Sequence, residues 1–146
     1  MYSSFWNLAV KNLGEEQNAL RYISQKWGVS YAKLPISYKL DYTMYRNGTH
    51  IGFTEVKCRT SRLNDYKTYI LSLSKVKEAR ILADMTNTKS LLIVCWSDYT
   101  GWINLRSEFI IKQGGRSDRN DWQDQEPVCH FNINQFKIIA ETKNFM

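Results

Sequence analysis

The apolar residues of this chain recur at spacings that predict helices in some segments and strands in others. In residues 7–27 they follow intervals of three, four and seven: Leu13, Leu20, Ile23 and Trp27. Such intervals place the side chains on one face of an amphipathic helix. Residues 91–96 are instead a continuous apolar run of strand length. A run of this kind is typical of a strand that is buried on both faces.

Residues 38–60 predict two strands that are joined by a tight turn. Asn47 and Gly48 both tolerate positive φ, and the pair is a strong signal for a two-residue hairpin loop. Apolar residues fill the flanks on both sides: Tyr38, Leu40, Tyr42 and Met44 before the turn, and Ile51, Phe53 and Val56 after it. The hairpin places Asp41 on the first strand.

The remaining elements complete a predicted α/β fold. Residues 61–69 form a polar connection, and a helix is predicted to begin at Ser72 or Ser74, both good capping residues. The run at 91–96 then leads through a turn at 98–101 into a hairpin partner at 102–105. Helices alternating with strands in this order predict one mixed sheet flanked by helices.

The C-terminal third gives weaker signals. Residues 109–111 fit either a short helix or a strand, and residues 128–133 alternate like a last strand, after which residues 135–140 close the fold. The polar segment 114–127 is rich in Asp but lacks the spacing of a calcium-binding loop. We therefore predict a loop there, with Arg116 and Arg119 on phosphates.

Two carboxylates and an ammonium group converge on the predicted hairpin. On its second strand, Phe53, Glu55 and Lys57 share one face because side chains alternate with a period of two. Asp41 and Glu55 then come together at the ends of adjacent strands, with Lys57 beside them. This combination is the chemistry of a divalent-metal phosphodiesterase site. The alternative is that Glu55 and Lys57 form a solvated face of an antiparallel strand.

A third carboxylate, Glu16, lies in the middle of the apolar stripe of the first helix. It precedes Leu20 by four residues and Ile23 by seven, whereas Glu15 is turned well off the stripe. A carboxylate on a buried stripe is costly unless it is neutralised, and a metal site would neutralise it. The alternative is a favourable position near the helix N-terminus on a half-exposed stripe.

These motifs together resemble the PD-(D/E)XK nuclease superfamily. The segments GEEQNALRYI, KLDYTMY and GFTEVKCRT are similar to those of small members such as archaeal Holliday-junction resolvases and phage-encoded endonucleases. The resemblance covers about residues 10–105 and implies a restriction-endonuclease-like mixed sheet flanked by helices. One departure is that Leu40 stands where the family has a proline before the Asp.

The resemblance also implies roles for the site residues. Asp41, Glu55 and the carbonyl of Val56 would hold the metal, Lys57 would orient or activate the attacking water, and Glu16 would support the metal ligands. Hard cations such as Mg²⁺ take oxygen ligands of this kind, so we expect Mg²⁺, with Mn²⁺ as a substitute. Lys57 could equally stay charged and stabilise the transition state.

The charge of the chain is consistent with a nucleic-acid partner. The formal net charge is +6, which favours polyanions because Lys and Arg neutralise phosphates. The basic residues that directly follow the predicted site are the expected DNA contacts: Arg59, Arg62, Lys67 and Lys75. Lys77 fits the solvated face of the next helix better.

Length and composition set the remaining expectations. At 146 residues the chain fits one domain, with a nuclease-like core at about 10–105 and an extension at 106–146. The N-terminus lacks a signal-peptide pattern, so we expect a cytoplasmic protein, in the host cytoplasm if a phage encodes it. The cysteines Cys58, Cys95 and Cys129 lack zinc-site spacing.

The sequence thus predicts a Mg²⁺-dependent DNA nuclease, with phage or prokaryotic origin and a homodimer as further expectations from the resemblance. Two alternatives keep the basic surface without the chemistry. One is a non-catalytic DNA-binding protein on a nuclease-like scaffold, and the other is a phage interaction or inhibitor protein.

Overall fold

The structure is a computed structural model that describes the backbone of residues 4–114 and 126–146 and the side chains of residues 14–114 and 126–146. Arg116 and Arg119 therefore lie outside the described residues. The helices are α1 (Ser4–Trp27) and α2 (Leu73–Thr86). The strands are β1 (Ser30–Lys33), β2 (Tyr42–Arg46), β3 (Thr49–Cys58), β4 (Thr68–Ser72), β5 (Lys89–Cys95), β6 (Tyr99–Asn104), β7 (Ile110–Gln113), β8 (Pro127–Asn132) and β9 (Lys137–Glu141).

The strands form a large mixed sheet and a small antiparallel one. The large sheet has the order β1-β2-β3-β5-β6-β9, and the small sheet has the order β4-β8-β7. Within the large sheet β3 and β5 are parallel, whereas the other neighbours are antiparallel. The prediction of a mixed sheet with helices is confirmed, but the small sheet was not predicted.

The hairpin of β2 and β3 forms at the predicted turn. Asn47 and Gly48 adopt φ values of 50° and 79°, as a two-residue hairpin loop requires, and Arg46 pairs with Thr49. The first strand is shorter than predicted. A 3₁₀ turn at Ile36–Tyr38 and a left-handed Lys39 (φ 62°) interrupt the extended backbone, so Asp41 lies immediately before β2.

Helix α2 is the crossover between the parallel strands β3 and β5. The hydroxyl of Ser72 caps it by accepting a hydrogen bond from the Lys75 N–H at 3.2 Å, which confirms the predicted helix start. At the other end, Asn87 in the left-handed region (φ 53°) ends the helix. A capped crossover of this kind brings the N-terminus of α2 to the carboxyl end of β3.

Strands β1, β4 and β9 differ from the sequence-based expectations. β1 was not predicted, and β4 begins inside the segment that was taken as a polar connection. Residues 110–113 form a strand, which decides between the two alternatives for that segment. The strand predicted at 128–133 is observed as β8, but β9 follows it and joins the large sheet. Residues after 105 therefore contribute to both sheets.

The large sheet is covered on both faces. On one face α1 contributes Ala19, Leu20 and Ile23, which pack on Val56 and Ile93. On the other face α2 and the small sheet pack on the large sheet: Val76, Ala79, Leu71 and Phe131 meet Phe53, Leu92 and Val94. This arrangement explains the uninterrupted apolar run of β5. Among the described residues no helix is long and apolar enough to cross a membrane.

Gly52 allows β3 to approach β5 closely. A Cβ atom at Gly52 would lie 2.5 Å from the carbonyl oxygen of Lys89, a backbone atom that cannot yield without moving the strand. We expect Gly52→Ala to lower the free energy of unfolding by about 1–3 kcal/mol, because overpacking forces backbone shifts. Thermal or chemical denaturation measures this change.

Gly14→Ala is the matched control for that substitution. Gly14 lies in α1, where an added Cβ atom would meet nothing within 4 Å, so alanine should stabilise the helix by up to about 1 kcal/mol. A Gly52→Ala protein as stable as the wild type would contradict the close approach of the two strands.

Candidate functional site

Glu55 is a fully buried carboxylate at the centre of the site. Its side chain is 0% exposed, although it lies near the carboxyl end of β3, where the side chain of Lys57 is 33% exposed. Its Oε1 atom accepts from the ammonium of Lys75 at 2.6 Å and lies 3.3 Å from the ammonium of Lys57. An unpaired buried carboxylate would be strongly destabilising, so the two lysines offset the cost of burying Glu55.

The second oxygen of Glu55 has no such partner. Oε2 is buried and accepts no hydrogen bond from the described residues. A buried acceptor without a partner leaves its desolvation uncompensated. A cation or an ordered water is what such an oxygen fits.

Asp41 lies immediately before the first residue of β2 and reaches the same place. Its Oδ2 atom accepts the backbone N–H of Val56 at 3.0 Å, which β2 can no longer pair because that strand begins at Tyr42. Tyr42 pairs with Thr54, so Asp41 stands opposite Glu55 in the register. Residues that are directly opposite each other project from the same face.

The backbone of Val56 contributes a further oxygen at this edge. In a strand, the N–H and C=O of one residue point toward the same neighbour. The N–H of Val56 points to Asp41, so its carbonyl faces the side on which β2 has not yet begun. Asp41, Glu55 and the Val56 carbonyl, which sequence analysis singled out, are thus neighbours at one corner of the sheet.

Glu16 faces this corner from α1. It is half-buried, and its pKa is raised above the usual value, first by burial and then by the nearby charge of Asp41. Lys33 and Lys57 act in the opposite direction, and Glu55 adds a smaller increase. Asp41, Glu55 and Lys57 are predicted site residues, whereas Lys33 was not predicted to lie here. Glu15, in contrast, lines a different cleft beside Cys58.

Lys75 is the residue whose place sequence reasoning missed. We expected it to contact phosphate from the start of α2, but it points at Glu55 and is only 24% exposed. No local pattern signals this contact, because the two residues lie on different elements that only the crossover brings together. Lys75 also lines a cleft of about 310 Å³ with Asp41, Lys33 and Lys39.

The other basic residues lie farther along the chain. Arg59, Arg62 and Lys67 are exposed, as contacts to a large polyanion require. The guanidinium of Arg59 lies 5.6 Å from the centre of the Tyr69 ring. Lys77 is exposed on α2, in line with the solvated-face interpretation.

Within residues 14–114 and 126–146, no three side chains of His, Cys, Asp or Glu are arranged as a metal site. A cation at this corner would therefore depend on two carboxylates, a backbone carbonyl, waters and substrate. That set matches the preference of Mg²⁺, which retains waters and binds few protein carboxylates. The unpartnered Oε2 of Glu55 is consistent with such a cation.

Comparisons with known proteins agree with this architecture. A family described as "Phage putative PDDEXK endonuclease" matches residues 9–139. Among solved structures, the fold is similar to Archaeoglobus fulgidus Hjc, described as a Holliday junction resolvase from an archaeal hyperthermophile. The TM-score is 0.59 at 12% identity, over 89% of this chain and 91% of that one. None of the curated proteins compared with the chain matches its sequence. The predicted superfamily and restriction-endonuclease-like fold are confirmed.

The raised pKa of Glu16 has a consequence for stability. The folded protein holds this proton more tightly than the unfolded chain, in which the pKa of the carboxyl has its ordinary value of 4.5. Ionisation therefore costs stability as the pH rises through the folded pKa, and below 4.5 the cost disappears. In chelator, we expect Glu16→Gln to melt at a higher temperature than the wild type at neutral pH, with the gain vanishing in acid.

Glu15→Gln is the control, because it removes the same charge from the same turn of α1. Thermal melts of the three proteins from acid to neutral pH make the comparison. A Glu16→Gln protein that is less stable than the wild type at neutral pH would show that Glu16 stabilises the fold as a carboxylate.

Proposed function

Because the chain belongs to the phage PDDEXK endonuclease family, we propose that it is a divalent-metal-dependent DNA endonuclease that hydrolyses phosphodiester bonds at the corner around Glu55. The observation that carries the proposal is the state of Glu55. One oxygen of this buried carboxylate is held by two ammonium groups, and the other has no partner among the described residues. A purely structural ion pair has no need for an unpartnered oxygen beside a second carboxylate.

The cation would be held by Asp41, Glu55 and the carbonyl of Val56. We propose Mg²⁺, with Mn²⁺ as a substitute, because all these ligands are hard oxygen atoms. When bound, the cation supplies a Lewis acid that polarises the phosphodiester and favours ionisation of water. The hydrogen bond from the N–H of Val56 to Oδ2 holds the carboxylate of Asp41 in place beside Glu55.

The lysines divide two tasks between them. Lys57 is partly exposed on the same face as Glu55, so its ammonium can reach both an incoming water and the phosphate. We assign it to orient that water and to stabilise the negative charge of the transition state. Lys75 is more buried and closer to Glu55. We assign it to hold Oε1, which would leave Oε2 for the cation.

Glu16 supports the site from the opposite helix. As a half-buried carboxylate near Asp41, it can accept a hydrogen bond from a water bound between the carboxylates. Its charge also adds to the negative potential that favours a divalent cation.

DNA would be held by the exposed basic residues beside the site. We assign Arg59, Arg62 and Lys67 to phosphates, where each neutralised charge contributes sequence-independent affinity. The phosphate role of Arg116 and Arg119, outside the described residues, stays a prediction, as does the homodimer.

Asp41→Asn and Glu55→Gln test the metal site directly. Each substitution removes one charged ligand, so we expect cleavage to fall by at least about 10²-fold, while DNA binding in chelator is retained or tightened by the lower repulsion. The measurement is cleavage of supercoiled, linear, single-stranded and branched DNA with Mg²⁺, Mn²⁺ or chelator.

Circular dichroism of each variant verifies that the fold is intact. Metal-independent activity, or equal activity in the wild type and both variants after removal of contaminants, would contradict the assignment. Wild-type protein that binds DNA without cleaving any of these substrates would favour the non-catalytic alternative.

Lys75→Gln tests the positioning of Glu55, and Lys77→Gln is its matched control on the exposed face of the same helix. Loss of Lys75 frees the carboxylate to rotate, so we expect turnover to fall by about 10–100-fold, as for other partners of metal ligands. It also removes a positive charge from the site, so the Mg²⁺ concentration for half-maximal activity should not rise.

Lys75→Arg should recover part of the turnover, because arginine keeps the charge and can donate to the same oxygen. Activity of Lys75→Gln equal to that of Lys77→Gln would contradict a positioning role. Steady-state cleavage across a Mg²⁺ titration gives both quantities.

A further inference from the structure

Residues 34–40, which connect β1 to β2, form an ordered projection at the edge of the site. The N–H of Leu34 donates to the carbonyl of Asp41 at 2.8 Å and closes the base of the loop. Leu40 is buried at 2% exposure and Leu34 packs against the same core cluster. The position of this loop is therefore tied to Asp41, a residue of the site itself.

The tip of the loop is stiff. The carbonyl of Pro35 accepts from the N–H of Tyr38 at 3.1 Å, and that of Ile36 accepts from the N–H of Lys39 at 3.0 Å. Pro35 fixes its own φ, at −60°, and it cannot donate a backbone hydrogen bond. The tip therefore has a set shape before any partner binds.

The tip is also apolar. Ile36 is 96% exposed, the highest value among the exposed large hydrophobic residues that the structure describes, and Tyr38 is 43% exposed. Burying an isoleucine removes apolar surface from water and stabilises a protein, and the fold forgoes this at Ile36. Single exposed apolar residues are common, so the surroundings of Ile36 must decide its meaning.

Positive charge surrounds this apolar tip. Lys33 and Lys39 are both exposed, and with Ile36 they line the cleft of about 310 Å³ that also contains Asp41 and Lys75. The ammonium of Lys33 lies 5.0 Å from the centre of the Tyr42 ring, which anchors its stem. An exposed isoleucine between two lysines, beside a candidate phosphodiesterase site, matches a partner that alternates phosphates with apolar base stacks.

We propose that residues 34–40 are a wedge that inserts Ile36 between bases next to the phosphate to be cleaved, while Lys33 and Lys39 hold the flanking phosphates. Apolar side chains that enter a base step in this way partly unstack it and kink the duplex. The inference rests on the proposed function and adds a substrate class to it, namely DNA in which a base step is already open.

The preference follows from the energy of unstacking. Opening a stacked, paired step is costly, and the cost is least where the DNA is mismatched or already single-stranded. A stiff wedge makes its contacts only in an open step, and in the intact duplex the cost of opening the step offsets that gain, so Ile36 stays outside the stack. The wedge therefore favours bulged or mismatched DNA over intact duplex.

The test uses the full-length protein in chelator, so that binding is measured without cleavage. Two duplexes of equal length carry 2-aminopurine, one intact and the other with a small bulge beside the probe. Fluorescence anisotropy gives the affinity, and the 2-aminopurine signal reports unstacking. The variants are Ile36→Ala and, as a control, Met85→Ala, which alters a 79% exposed residue at the far end of α2 from Lys75.

We expect Ile36→Ala to weaken binding of the bulged duplex by about tenfold and to abolish the 2-aminopurine signal, while intact duplex binds within about twofold of wild type. Met85→Ala should match the wild type in every measurement. Lys33→Gln and Lys39→Gln should weaken binding of both duplexes alike, and each should reduce the slope of log affinity against log salt by about one.

Unchanged affinity and fluorescence for Ile36→Ala would overturn the wedge, and the exposed tip would then belong to a contact with another protein. This failure is distinct from failure of the proposed function. Metal-dependent cleavage by the wild type, together with an inert Ile36→Ala change, would overturn the wedge alone. An Ile36-dependent signal supports the wedge whether or not Mg²⁺ activates cleavage.

Discussion

The burial of Glu55 is the constraint on which the arrangement of the site depends. A carboxylate with no exposed surface is tolerated only if opposite charges stand within contact distance, and here they come from β3 itself and from α2. Lys75 meets Glu55 only if α2 begins where it does, capped by Ser72 at the end of β4. The small sheet is thereby tied to the site, although none of its residues belongs to it.

The start of β2 at Tyr42 is the second structural requirement. If β2 began two residues earlier, its backbone would pair with Val56, and neither the N–H nor the carbonyl of that residue would be available. The left-handed Lys39 and the 3₁₀ turn before it stop the strand at Tyr42. Asp41 then replaces the missing strand at the N–H of Val56. The same interruption produces the projecting loop at residues 34–40, so a strand end and a candidate substrate contact share one local cause.

Sequence reasoning succeeded where the signal was local and failed where it was not. A few consecutive residues are enough to predict the Asn47-Gly48 turn, the Ser72 cap and the apolar run of β5. Glu16 was singled out because a helical period of about 3.6 shows that its charge falls on the apolar face, and its role in the site stays a prediction. β1 is four mostly exposed residues with no alternation, so it gave no signal. The pairing of β4 with β8 joins segments from distant parts of the chain, and the contact between Lys75 and Glu55 depends on the crossover, which no short motif encodes.

The two oxygens of Glu55 separate stability from function. The folded protein needs the lysines on Oε1, because a buried carboxylate must have opposite charge beside it even when no cation is bound. Oε2 stays without a partner among the described residues, and Glu16 keeps a raised pKa next to Asp41. Both features cost stability in the free protein, and neither is needed by the fold. Their position at one corner, beside the carbonyl of Val56, is the pattern expected when a site is organised for a charge that arrives with the substrate.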